Sequence, residues 1–139
     1  MIIKIKGKEY KIKFGYKPTL KERIISKVVR FSNITNENDL EKIEDLLLFL
    51  PELILVGLQV NHEDFRYNID TGEGKEEQLE KSFNLIEDYL EEDNADILDL
   101  FVRLQEALTE DSFLSALFQK EQSSVKMQNK MAESLVAES

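Results

Sequence analysis

The hydrophobic period of this chain changes once, and that change limits the folds open to it. Ile3, Ile5, Tyr10, Ile12 and Phe14 alternate with Lys4, Lys6, Lys11 and Lys13. Side chains on a strand point to opposite faces with period two, so the alternation predicts a β-hairpin over 2–14, apolar on one face and basic on the other. Gly7-Lys8 falls between the two runs and is expected to make the turn, since Gly accepts positive φ. Two strands are marginal alone in water, so the apolar face must rest on something. From Thr19 onward the apolar spacing is helical.

The charge divides at the same place. Residues 1–30 hold ten Lys or Arg against Glu9 and Glu22, a net of +8; the remainder holds eight bases and 26 acids, a net of −18. The expected fold is therefore mainly α, of the α+β class: an N-terminal hairpin packed on a bundle of about five helices. With 139 residues, surface scaling allows roughly 68% of the unfolded chain's surface to be buried, enough for one core. A single globular domain is expected over 1–120, followed by a flexible tail over 121–139 where apolar residues thin out.

Helix boundaries follow from local signals. Lys17-Pro18 closes the hairpin, and Thr19 with Glu22 reads as a capping box for a helix carrying Leu20, Ile24, Val28 and Phe31. That helix should end near Ser32-Asn33, and Asn36 to Asp39 reads as a polar gap with capping residues. Leu40, Ile43, Leu46, Leu47 and Leu50 build the next helix, which Pro51 is expected to end or kink. Leu53, Ile54, Val56, Gly57 and Leu58 continue it, apolar around most of the circumference, as in a central buried helix. Gly57 is expected to admit a neighbouring helix closely. After a polar loop over Asn61 to Gly74, Lys75 to Glu92 reads as a helix facing inward through Leu79, Phe83, Ile86 and Leu90. Asp93-Asn94 separates it from another over Ala95 to Leu108, with Ile97, Phe101, Leu104 and Leu108 on one stripe. Asp111 or Ser112 caps a last short helix bearing Phe113, Leu114, Leu117 and Phe118.

Chemistry is sparse. The absence of Cys excludes disulfides, thiolate zinc sites and cysteine nucleophiles. His62 is the sole histidine, and Arg66 stands where a zinc protease needs a second one, so His62 reads as a cap or surface residue. In Asp70-Thr71-Gly72-Glu73-Gly74-Lys75, Gly occupies two positions where a calcium loop needs oxygen donors. The same stretch lacks the upstream glycine, strand and hydroxyl of a phosphate loop, and reads as a turn before a helix. Glu91-Glu92-Asp93 reads as a solvated helix end. No catalytic residue, cofactor site or metal site is expected, and an enzyme is not. No apolar run is long enough to span a membrane. The net charge of −10 disfavours nucleic acid, and lysines on an edge hairpin are a common guard against strand-to-strand aggregation.

Three stretches together carry a resemblance. They are Ile3-Lys4-Ile5-Lys6-Gly7-Lys8-Glu9-Tyr10 continuing to Tyr16, then Leu53-Ile54-Leu55-Val56-Gly57-Leu58 followed by Asn61-His62, and the acidic helix after the polar loop. Over residues 1 to about 92 the chain resembles the tail assembly chaperones of long-tailed phages of Gram-positive hosts. The resemblance implies a non-enzymatic protein that keeps the long, apolar, helical tape-measure protein soluble in the host cytoplasm while the tail tube assembles. Such proteins are absent from the finished virion, and many are also made as a longer product by ribosomal frameshifting. The tape-measure protein is the implied partner, with the major tail protein a second, and opposite charges on hairpin and body favour self-association. Leu114, Leu117 and Phe118 are expected to contact the client, with the apolar central helix as floor. Two other readings stand beside it: a structural tail component such as a tube completion or terminator subunit, and a small regulator binding nucleic acid through the basic hairpin.

Overall fold

A computed structural model describes residues 1–32 and 40–117. Strand β1 (Ile2–Ile5) pairs antiparallel with β2 (Lys8–Lys11), with Ile5 opposite Lys8 and Ile3 opposite Tyr10. The turn is therefore Lys6-Gly7 rather than Gly7-Lys8. Both residues have positive φ, 49° and 80°, as a two-residue hairpin turn with the twist of its strands requires. Ile3, Ile5, Tyr10, Ile12 and Phe14 are buried, and Lys4, Lys8, Lys11 and Lys13 face outward.

The expected helix from Thr19 is two short helices, α1 (Tyr16–Lys21) and α2 (Ile24–Phe31). Gly15 is the N-cap of α1, and no side chain caps it. Starting there places Pro18 in the first turn, where a missing N–H forfeits no intrahelical bond. The capping box does not form: Thr19 is buried inside α1 with its hydroxyl unpartnered, and Glu22 turns toward Lys75 instead. Arg23, at φ 54°, breaks the path between α1 and α2. The stripe Ile24, Val28, Phe31 is buried as its spacing requires. The polar gap at Asn36 to Asp39 lies outside the described residues.

Helix α3 (Leu40–Leu58) runs through Pro51 without ending. Proline inside a helix costs about 3 kcal/mol. Leu53, Ile54, Leu55, Val56 and Leu58 follow it, all almost wholly inaccessible, and each such side chain contributes about 1.5–3 kcal/mol when buried. Burial of the far half therefore outweighs the proline. Phe49 stacks on Phe31 of α2 with ring centroids 5.4 Å apart.

Helix α4 (Lys75–Leu90) buries Ser82, Leu85, Ile86 and Tyr89 against the rest of the fold, with Leu79 partly covered. Phe83, 39% exposed, and Leu90 lie on its flank, so the inward row is the one beside the row the spacing suggested. Ser82 is small enough to sit fully covered, and its hydroxyl donates to the Gln78 carbonyl at 3.1 Å. Helix α5 (Ile97–Glu110) starts at Asp96, whose Oδ1 accepts from the backbone N–H groups of Leu98 and Asp99. Leu100, Phe101, Leu104, Ala107 and Leu108 enter the core. The Tyr89 hydroxyl donates to the Asp96 carbonyl and accepts from its N–H, joining α4 to the start of α5. Ser112 then accepts from Leu114 N–H at the start of a last helical turn. The expected tail over 121–139 lies outside the described residues, and among those no helix is long and apolar enough to cross a membrane.

Candidate functional site

The arm that leaves the hairpin lies on α3 where Gly57 leaves room. A Cβ at Gly57 would stand 2.7 Å from Ile12 Cγ2 and 3.3 Å from the Phe14 ring. Gly57 carbonyl accepts from Lys13 N–H at 2.8 Å. The close neighbour is thus the arm leaving the hairpin, not the helix that a helical glycine first suggests. A helix brings its bulk no nearer than side chains allow, whereas an extended arm can lay its backbone on the glycine and hydrogen-bond to it.

His62 belongs to the same junction. Its Nε2 accepts from Lys11 N–H at 2.9 Å, and its ring sits 5.6 Å from Tyr10 and 6.4 Å from Phe65. It therefore works as a structural bracket between hairpin and the end of α3. Buried Gln59 fixes the following loop, donating to the Leu55 and Phe65 carbonyls and accepting from Tyr67 N–H. Arg66 donates to the Gln59 and Val60 carbonyls, closing the end of α3. The Asp70–Lys75 stretch is a hydrogen-bonded turn: Asn68 Oδ1 accepts from Asp70 and Thr71 N–H, and Gly72 N–H bonds the Asn68 carbonyl.

The two charged halves meet across this frame. Lys6 reaches Asp88 and Glu91 at the end of α4, both at 2.9 Å, and those bonds hold its ammonium well above the usual lysine range. Lys17 bonds Asp70 at 2.8 Å, and this hydrogen bond, helped by the charges of Lys17 and Lys21, outweighs desolvation and keeps the carboxyl below its ordinary range. Glu22, Lys27, Glu52 and Lys75 form a more covered cluster, in which Lys75 pairs with both Glu22 and Glu52, and Lys27 pairs with Glu52. Burial lowers the Lys75 pKa, but the bond to Glu22 and the two carboxylate charges outweigh it and raise the net value. Beside them the Tyr67 hydroxyl is buried. Burial, then the charges of Glu22 and Glu52, push its pKa up. The cluster ties α1, α2, α3 and α4 together with acids and bases in balance, which suits a structural tie. Among the described residues no group of three or more His, Asp or Glu is placed to hold a metal ion.

The predicted client-binding residues separate. Leu114 is 7% exposed and belongs to the core, Leu117 is 59% exposed, and Phe118 lies outside the described residues. The apolar half of α3 is enclosed by α4, α2, α5 and the arm that leaves the hairpin, and is no open floor. In its place stands a surface patch that the spacing did not reveal. Tyr16, 67% exposed, meets Phe113 edge-on with ring centroids 5.2 Å apart. Leu20, 42% exposed, lies one turn beyond Tyr16 on α1, and Leu117 lies one turn beyond Phe113. The available signal was the i, i+4 pair Tyr16 and Leu20 directly after the hairpin, obscured because Leu20 also fits the stripe of a longer helix. Searches against family models, curated proteins and solved structures give no match to this chain.

Proposed function

We propose that this protein is a tail assembly chaperone of a long-tailed phage, binding the tape-measure protein and keeping it soluble during assembly of the tail tube. The observation that carries the reading is a surface patch of exposed Tyr16, Leu20 and Leu117 with half-buried Phe113, on a small protein with net charge −10. A holder of an apolar helical client needs both parts: apolar surface to cover the client, and net charge to keep the complex dispersed. A second support is that the stretches carrying the family resemblance form one packing unit. The hairpin arm lies on Gly57, Lys11 bonds His62, and Lys6 pairs with the acidic end of α4.

The test is co-expression with the tape-measure protein of the same phage, scoring the soluble fraction of that protein and its recovery on the tagged chaperone. A stable complex with a raised soluble fraction is the expected outcome. No complex and no gain in solubility would reject the reading and turn attention to a structural tail subunit, for which isolated rings would be the sign.

A further inference from the structure

We propose that the patch of Tyr16, Leu20, Phe113 and Leu117 docks an amphipathic helix whose apolar ridge is flanked by acidic side chains. The proposal rests on the chaperone reading for the identity of the client, and on the patch alone for the chemistry of the segment bound.

The geometry sets the ridge. Tyr16 and Leu20 are one helical turn apart on α1, and Phe113 and Leu117 are one turn apart on the segment after α5, with the Tyr16–Phe113 ring contact joining the two rows. Two short apolar rows joined at the Tyr16–Phe113 contact can receive the i, i+3, i+4, i+7 ridge of a helix. An exposed tyrosine in contact with a second ring supplies the large, rigid anchor on which such interfaces concentrate their energy. Leu114, next to Phe113 in the chain, is buried in the core and anchors that row.

The charge sets the flank. On α1, Lys17 and Lys21 follow Tyr16 and Leu20 by one position each, so a row of ammonium groups borders the apolar row. Both lysines approach the single carboxylate of Asp70, at 2.8 and 3.7 Å, which leaves that border with an excess of positive charge. A client helix seated on the apolar row therefore meets cations on this side. On α5, by contrast, Leu98 and Val102 are followed by Asp99 and Arg103, one acid and one base.

Local and global charge make opposite forecasts, which gives the test its force. The net charge of −10 favours a client with basic flanks; the lysine border on α1 favours acidic ones. At physiological salt the screening length is about 8 Å, so the contacting charges decide. Two fluorescein-labelled peptides of about 20 residues, long enough to hold a helix, share one leucine ridge and differ only in Glu or Lys flanks. Fluorescence anisotropy with the full chain is expected to show the Glu-flanked peptide binding at least about tenfold more tightly, in the range one well-placed contact supplies. Tyr16→Ala and Leu117→Ser should each weaken it about tenfold or more, with unchanged melting temperature because both side chains are mostly exposed. Lys21→Glu should reduce or invert the preference. Equal affinities, a preference for Lys flanks, no binding of either peptide, or binding insensitive to Tyr16→Ala and Leu117→Ser would each overturn the proposal. Peptide binding with no tape-measure complex would leave the patch standing and remove the chaperone reading; a complex unaffected by both patch variants would do the reverse.

Discussion

At Gly57 a single methyl group would meet Ile12 Cγ2 at 2.7 Å and the Phe14 ring at 3.3 and 3.4 Å. In an open helix position, Gly→Ala gains about 1 kcal/mol from helix propensity. Here both neighbours are fully buried, and the nearest atom hangs on a β-branched carbon with little rotational freedom. Overpacking of this kind costs about 1–3 kcal/mol, so Gly57→Ala is expected to lower stability by about 1–2 kcal/mol. A urea titration should show a lower midpoint with an unchanged slope. Adding Ile12→Leu, which moves the offending methyl off Cβ, should recover part of the loss in a double-mutant cycle. The sequence marks Gly57 as a place of close approach. It does not say what approaches, because Ile12 is far away along the chain and no local spacing links the two.

The break between α1 and α2 belongs to the scale of elements. Thr19 and Glu22 have the spacing of a capping box, yet the helix begins three residues earlier and stops at Glu22. Local pattern lost to three tertiary gains: Thr19 is buried, Glu22 pairs with Lys75, and Ile24 starts a separate buried stripe. The cost falls on exposed Arg23, held at φ 54°, where a side chain is disfavoured by about 1–2 kcal/mol and glycine is not. Arg23→Gly is therefore expected to raise stability by about 0.5–1 kcal/mol, seen as a higher melting temperature. In one continuous helix the same change would lower it by about 1 kcal/mol, so the sign of the shift separates the two arrangements. Helix α4 teaches a related lesson. Its existence was legible from spacing, but the choice between adjacent rows was made by the fit of small Ser82, not by the size of Phe83 and Leu90.

Across the whole molecule, the basic N-terminal segment stands on an acidic helical body, and ion pairs join them: Lys6 of the hairpin turn to Asp88 and Glu91, Lys17 and Lys21 of α1 to Asp70. All three lysines are more than half exposed, and solvent screens such pairs until they contribute little. The apolar face of the hairpin is buried in the common core, and truncating one large aromatic there costs about 3–5 kcal/mol. The hairpin is therefore held mainly by burial. Raising NaCl from 50 mM to 1 M is expected to change the unfolding free energy by no more than about 1 kcal/mol, while Phe14→Ala lowers it by about 3 kcal/mol or more. A hairpin held mainly by charge would give the opposite ranking.

The sequence by itself determined that the chain opens with a hairpin of one apolar face, whose paired strands end at Lys11 rather than Phe14, that helices follow, and that the far half of α3 is enclosed. Those outcomes rest on side-chain period and on the cost of leaving apolar surface in water, both written in neighbouring residues. The tertiary structure alone decided that the hairpin arm covers Gly57, that α3 continues through Pro51, and which row of α4 turns inward. It also decided that Leu114 is core while Tyr16, Leu20, Phe113 and Leu117 share a surface. Each of these compares burial energies between segments distant in the chain, and such comparisons have no local signature.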